Sequence, residues 1–218
     1  LNPLLLLLFW SGTISEQNAN GSYWNLGEMT SYYLFFTIAM SFLVVHIEED
    51  VAFHDIKEGI LAKYLLRPFS YLVLKFIEEL PWRITQGFFG LLVFVIFLLL
   101  WNVSFPIVSS PIEILLIPIM ILLALGISYI YKMIIGLLAL WTTDFWGILS
   151  IEEVIFLVFG GVVMPLTFYP AILERISYVL PIAYIVYFPI IAIQGKLPLL
   201  EMSKVIIVQA VWLSLLYG

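Results

Sequence analysis

Long apolar runs recur along this chain, and they restrict its fold more than any other feature. Five of them approach or exceed the ~20 residues that cross a ~30 Å hydrocarbon core as a helix; they are residues 29–47, 84–101, 112–140, 148–164 and 199–218. Hydrophobic residues make up 63% of the chain and charged residues 11%, and the mean hydropathy is +1.12. A soluble domain has roughly half apolar and about a quarter charged residues. We therefore predict an all-α, polytopic transmembrane helical bundle.

Both ends of the chain lie inside apolar runs. Residues 4–10 form an apolar block, and the last run is still apolar at Gly218. We expect both to be truncated spans, so that the full bundle has six. The alternative for the start, a signal-peptide remnant, lacks a basic region and a small-x-small cleavage site. Because no internal repeat is found, residues 1–218 are predicted to form a single transmembrane domain.

The positions of lysine and arginine predict how the spans are oriented. Five of the nine basic residues lie within residues 48–83, which we therefore place in the cytoplasm. The polar loop 11–28 has no lysine or arginine, so it suits the external side. The external region 165–198 contains five prolines, which rule out an uninterrupted transmembrane helix. We predict short helices there, at or dipping into the external interface and sheltered by protein or water.

A charged amphipathic segment, residues 55–68, interrupts the apolar pattern. Its apolar residues recur at the spacing of one helix face: they are Ile56, Ile60, Leu61, Tyr64 and Leu65. Pro68 is expected to end this helix. Gly59, which costs ~1 kcal/mol against alanine inside a helix, indicates close packing or a bend. Amphipathicity fits two roles equally, an interfacial helix resting on lipid headgroups and a docking helix for a cytoplasmic partner domain.

The string D-I-x-E-G-x-L-x-x-Y-L-L-R-P over residues 55–68 resembles the intracellular segment of ABC-2-type permeases, the membrane subunits of ATP-binding-cassette exporters. The order of other features is similar to that family as well. A Glu-Leu-Pro sequence at 79–81 enters a span, a Phe-Trp-Gly turn lies at 145–147, and a proline-rich external region precedes the last span.

The resemblance implies a function and a set of partners. Residues 55–68 would be a coupling helix in a groove of a separate cytoplasmic ABC ATPase subunit, and the external prolines would build re-entrant helices. Two permeases, identical or related, would form a dimer in a prokaryotic inner or plasma membrane. ATP and Mg would be bound by the ATPase, so this non-catalytic chain would need no cofactor. The implied partner-binding residues are Asp55, Ile56, Glu58, Gly59, Ile60, Leu61, Tyr64, Leu65, Leu66, Arg67 and Pro68.

Histidines at the start of the cytoplasmic segment raise the question of a metal site. On a continuous helix His46, Asp50 and His54 would share one face. A simpler interpretation is that Glu48, Glu49 and Asp50 form a solvated helix extension at the membrane boundary. Two histidines alone cannot build a catalytic zinc site.

Charged residues within the spans are few. Lys132 lies in the run 112–140, which is long for one crossing, so we expect tilt or a break near Pro118 or Gly126. The charge of Lys132 fits a position facing a pathway or a partner subunit. It also fits a tilted span in which its long stem carries the ammonium to the interface, and this second position is favoured. Glu152 and Glu153 fit a proton relay or a position at the membrane boundary, and the boundary is favoured because they begin a span.

Other functional classes lack their sequence signals. The chain has no G-x-x-x-x-G-K-[ST] phosphate loop, no G-x-S-x-G elbow and no H-E-x-x-H pair. A membrane-embedded lipid-modifying enzyme would need polar catalytic side chains clustered at one depth. An ion-coupled secondary transporter usually shows inverted repeats and intramembrane charges. The apolar runs match neither expectation.

Overall fold

Helices are the only regular elements in the part of the chain that the structure, a computed structural model, describes. That part comprises residues 24–100 and 110–218 together with Leu6, Phe9, Trp10, Gly12 and Val108. Ten helices are numbered here within those residues. They are α1 (Leu26–Phe42), α2 (Ile47–Glu49, continued by the π-helical turns Asp50–Lys57), α3 (Leu61–Leu65), α4 (Tyr71–Leu100), α5 (Pro111–Leu137), α6 (Phe145–Phe159), α7 (Ala171–Val179), α8 (Pro181–Ile185), α9 (Tyr187–Ile193) and α10 (Leu199–Tyr217). The predicted all-α class is confirmed. Of the apolar block 4–10, predicted to be a truncated first span, the structure describes only Leu6, Phe9 and Trp10, so this prediction lies largely outside the described residues.

Four described helical stretches are long and apolar enough to cross a membrane, namely Gly27–Lys57, Tyr71–Ile96, Pro111–Leu140 and Leu199–Tyr217. A fifth is obtained if Ala171–Val179 and Pro181–Ile193, which meet at a bend of 71°, count as one broken span. The polytopic helical bundle is therefore confirmed.

The helices differ from the predicted spans in three details. Of the two alternatives for the run 112–140, tilt or a break near Pro118 or Gly126, the break is wrong, because α5 runs without interruption from Pro111 to Leu137. Helix α4 begins at Tyr71 and contains Pro81, so the segment predicted to be cytoplasmic, 48–83, includes residues 71–83 of this helix. The span expected over 148–164 is the 15-residue helix α6, about 22 Å long at ~1.5 Å per residue, which is shorter than the hydrocarbon core.

The proline-rich region forms short helices, as predicted. Pro170 precedes α7, Pro181 begins α8 and Pro198 precedes α10. Residues 181–192 are buried throughout, and α8 and α9 pack against α5. Broken helices of this kind are tolerated at membrane depth only where protein or water shelters the backbone. Here the neighbouring helices provide that shelter.

The core lies between α1, α5, α9 and α10. Met29, Tyr32 and Phe36 of α1 are buried together with Met120 and Ile127 of α5. Helix α1 begins with a capping box, in which the side chain of Asn25 accepts from the backbone of Glu28 and the carboxylate of Glu28 accepts from the backbone of Asn25, both at 2.8 Å. Such a cap satisfies orphan donors of the first helical turn.

Small residues allow close approach of the helices at specific points. A Cβ at Gly136 of α5 would lie 2.9 Å from Cβ of Val51 and 3.0 Å from the backbone oxygen of Glu48. The end of α5 therefore accommodates α2 only because residue 136 has no side chain. At Gly126, by contrast, an added Cβ would first meet the mobile end of Leu213, at 3.1 Å.

We expect Gly136→Ala to destabilise the protein although alanine is the better helix former by ~1 kcal/mol. Overpacking of this kind typically costs about 1–3 kcal/mol. The midpoint of thermal unfolding of the detergent-solubilised protein measures the effect, with Gly126→Ala as the matched control that stays near wild type. Equal midpoints for the two variants would contradict the proposed close contact between α2 and α5.

Candidate functional site

The segment between α1 and α4 departs from the predicted continuous helix over 55–67. It consists of α2 with its π-helical turns, a bend at Gly59, the five-residue α3 and a turn that leads into α4. The continuous helix is wrong because Gly59 has φ +80°, a conformation that glycine adopts readily. Nothing lies within 4 Å of a Cβ added there. Of the two roles considered for Gly59, the structure therefore has the bend and not close packing.

The bend changes which apolar side chains reach the surface. Four residues of the predicted partner face are only partly exposed; they are Ile56, Ile60, Leu61 and Tyr64. The large apolar residues that remain most exposed are Leu65 at 69%, Leu66 at 88% and Phe69 at 66%. We call these three the exposed tip. Phe69 was missed by sequence reasoning because it follows Pro68, where the helical pattern was expected to end.

An ion cluster fastens the segment to α4. Asp55 is fully buried and accepts from Nζ of Lys75 at 2.7 Å and from the hydroxyl of Tyr71 at 2.6 Å. The same ammonium lies 2.5 Å from Oδ2 of Asp50. Asp55, which the resemblance assigned to partner binding, thus serves an internal contact. Because a buried charge is costly unless it is paired, this cluster fixes the register between α2 and α4.

Tyr64 connects the exposed tip to the same cluster. Its hydroxyl donates to both carboxylate oxygens of Glu78, at 3.0 and 3.1 Å, and its ring lies 5.1 Å from Nζ of Lys75. Burial and the hydrogen bond to Glu78 raise the pKa of Tyr64 above its ordinary value. The phenol is therefore protonated at neutral pH and acts as a donor.

Arg83 secures the point where the chain leaves α1. Its side chain is almost fully buried, Nη1 donates to the backbone oxygen of Val44 at 2.6 Å, and Nε pairs with Glu79 at 2.5 Å. On the other side of the break, the hydroxyl of Ser128 accepts from the backbone N–H of Val45 at 3.0 Å. The interruption between α1 and α2 therefore keeps its backbone groups satisfied, as burial requires.

A second ion cluster joins three helices inside the bundle. Nζ of Lys132 lies 2.7 Å from Glu48 and 3.0 Å from Glu152, and all three side chains are buried. The expectation that Lys132 extends to the interface is wrong, and so is the solvated position of Glu48, because both side chains are buried and paired. The charge of Lys132 costs less inside the protein because its partners are supplied from neighbouring helices. Sequence reasoning missed this cluster because its members lie on α2, α5 and α6.

Aromatic contacts link the segment to the Phe-Trp-Gly turn. The ring of Phe53 lies 5.5 Å from that of Phe145 and 4.9 Å from that of Trp146. Nζ of Lys57 donates to the backbone oxygen of Thr143 at 3.1 Å. The residues that lead into the 55–68 string therefore pack against the Phe-Trp-Gly sequence at 145–147.

His54 and Asp50, two of the three residues considered for a metal site, are paired with other side chains. Nδ1 of His54 lies 2.8 Å from Glu58, and Asp50 binds Lys75. The residues that the structure describes contain no group of three or more histidine and acidic side chains placed to hold a metal ion.

The fold and the site define a class, a multi-pass α-helical membrane protein with a charged segment anchored between its spans. The family model of the ABC-2 family transporter proteins matches residues 1–218. The chain therefore belongs to this family and is the permease, the membrane subunit, of an ABC transporter. Neither a curated protein nor a solved structure matches the chain. This family membership favours a permease over the two alternatives considered from the sequence, a lipid-modifying enzyme and a secondary transporter.

We expect Lys75→Met to lower stability by about 3–5 kcal/mol, because removing one partner leaves the carboxylate of Asp55 buried without its countercharge. The double variant Lys75→Met/Asp55→Asn should recover much of this loss. Thermal unfolding in detergent measures both, with Lys63→Met, an exposed lysine of the same segment, as the control. A double variant no more stable than the single one would contradict the pairing.

Proposed function

We propose that this permease belongs to an exporter and is driven by a separate cytoplasmic ABC ATPase that docks on residues 55–68. The observation that carries the proposal is the exposed tip, Leu65, Leu66 and Phe69, which presents three large apolar side chains within five residues of chain. Exposed apolar groups that lie together mark sites of interaction with protein or membrane. The exporter direction is supported by the resemblance of the 55–68 string to exporter permeases.

Charges around the tip favour a protein partner. Lys63 and Arg67 are exposed beside it, and the guanidinium of Arg67 lies 5.2 Å from the ring centre of Tyr64. An apolar centre surrounded by charged residues is typical of protein interfaces, whose buried core carries most of the binding energy and whose rim is polar. Ile60 and Leu61, two further residues proposed for the interface, are partly buried and would support the tip from behind.

The contacts described above provide a route by which docking would act on the spans. A movement of the tip would reach α4 through the pair of Tyr64 and Glu78 and through Lys75 with Asp55. It would reach α5 and α6 through Glu48, Lys132 and Glu152. Because a ligand shifts a conformational equilibrium only through differential affinity, the ATPase with bound ATP must hold one arrangement of the segment more tightly than the other.

The rest of the assembly follows from the family. We propose that two permeases, identical or related, form a dimer around the translocation path in a prokaryotic plasma membrane. ATP and Mg would be bound by the ATPase, since this chain has no phosphate-loop sequence. The chain itself would be non-catalytic and would supply the path and the docking surface.

Co-purification tests the docking surface. The permease is expressed together with a candidate phosphate-loop ABC ATPase, and we expect Leu66→Asp to reduce ATPase recovery about ten-fold or more, as loss of a central apolar contact typically costs over ~1.4 kcal/mol. Leu65→Asp should act in the same direction. The bound fraction is read from the ratio of the two subunits after affinity purification.

Leu200→Asp is the matched control. Leu200 is also an exposed leucine, at 68%, but it lies in the first turn of α10, where an acidic side chain suits the helix dipole. This variant should retain the ATPase like wild type. If Leu66→Asp and Leu65→Asp both retain it as well, the coupling role of residues 55–68 fails.

A further inference from the structure

A large cavity with an aromatic wall lies away from residues 55–68, the proposed docking segment. Its volume is about 990 Å³, near the upper end of the ~300–1,000 Å³ of small-molecule sites. Trp24, which directly precedes α1, forms part of its wall. Because α1 has 17 residues and is therefore about 26 Å long at ~1.5 Å per residue, the cavity is separated from the docking segment by one helix length. The predicted topology places it at the outer boundary of the membrane.

Ring surfaces dominate the wall. The aromatic residues that line the cavity come from the stretch before α1 and from residues 168–188; they are Trp24, Phe168, Tyr178, Tyr184, Tyr187 and Phe188. The hydroxyl of Tyr178 already donates to Glu174, and that of Tyr184 donates to the backbone oxygen of Tyr178, both at 2.9 Å. The wall therefore offers a ligand mainly apolar ring surface. Val205 and Val208 of α10 extend this surface on the side of the last span.

Two lysines and one glutamate form the charged part of the lining. They are Lys196, Lys204 and Glu201. The ammonium of Lys196 is engaged, 3.0 Å from Glu28 and 3.6 Å from the ring centre of Trp24, so it occupies the cation position on that ring. Lys204 pairs with Glu201 at 2.7 Å, with both side chains about half exposed. Since an exposed pair of this kind is worth little, the ammonium of Lys204 is free to exchange its partner for an anion.

We propose that this cavity binds a lipid-like amphiphile with an anionic head group. Its apolar part would lie against the aromatic wall, and its head would contact Lys204 at the rim. A lipid is favoured as the source because the same helix, α10, exposes Ile207, Val211 and Leu215 outside the cavity, which continues the apolar surface into the surrounding bilayer. The proposed lipid site does not depend on ATPase docking, so a result that contradicts one of these two proposals leaves the other unaffected.

Native mass spectrometry of the full-length permease, purified without ATPase, tests this. Phosphatidylglycerol and phosphatidylcholine with the same acyl chains are titrated in detergent. Val208→Trp, which fills the cavity, should weaken phosphatidylglycerol binding about ten-fold, a loss of ~1.4 kcal/mol. Val211→Trp places the same ring on the exposed side of α10 and should bind like wild type. Equal affinities for Val208→Trp and Val211→Trp would overturn the site.

Lys204→Gln tests the head group without altering the wall. It should weaken phosphatidylglycerol binding about ten-fold, as loss of a hydrogen bond to a charged group does, and should leave phosphatidylcholine unchanged. Lys63→Gln, an exposed lysine of the docking segment, is the control for net charge. If wild type binds the two lipids equally, or if Lys204→Gln and Lys63→Gln act alike, the anionic head group is wrong.

Discussion

Buried cations paired with carboxylates hold the helices of this molecule together, and for Lys75 and Lys132 those carboxylates come from other segments. Lys75, Arg83 and Lys132 are each nearly fully buried and each paired with carboxylate. In a low-dielectric interior an ion loses its hydration, and only a close counterion with good geometry offsets that cost. The partners come from the short stretch 44–57 and from α4 and α6. The positions of those segments are therefore determined by charge as well as by apolar packing.

The ion pairs of Asp55 restrict the position of residues 55–68, the proposed docking segment. A loop held only by apolar contacts would have many similar positions, whereas Asp55 has one set of partners, Lys75 and Tyr71. The π-helical turns at Asp50–Lys57 keep Asp50 and Asp55 on the same ammonium, and π-helical turns occur frequently at functional sites. The exposed tip is thus connected to α4 through paired side chains, by Tyr64 with Glu78 and by Asp55 with Lys75.

The features predicted correctly from the sequence are local ones, and among the predictions that failed are those that depend on contacts between distant residues. The helical class, four of the five apolar spans and the short helices around the prolines of residues 165–198 were predicted correctly, because composition and proline act locally. The continuous helix over 55–67 was wrong, because periodicity does not distinguish a helix from two pieces joined at Gly59. The expectation for Lys132 was wrong, because its partner Glu48 is 84 residues away in the chain. The tip residue Phe69 lay beyond the predicted helix and carried no periodic signal.

By itself, the amino-acid sequence determined that this chain is a helical membrane protein, since long uncharged runs cannot satisfy their backbone groups in lipid in any open structure other than a helix. It also indicated the short helices of residues 165–198, since proline lacks the donor that a continuing helix needs, although Pro81 and Pro118 lie inside continuous helices. Only the tertiary structure decided which charges are buried, which apolar residues of the docking segment remain exposed, and that aromatic residues from distant segments enclose a cavity. These properties depend on distances between residues far apart in the chain, which composition and periodicity do not contain.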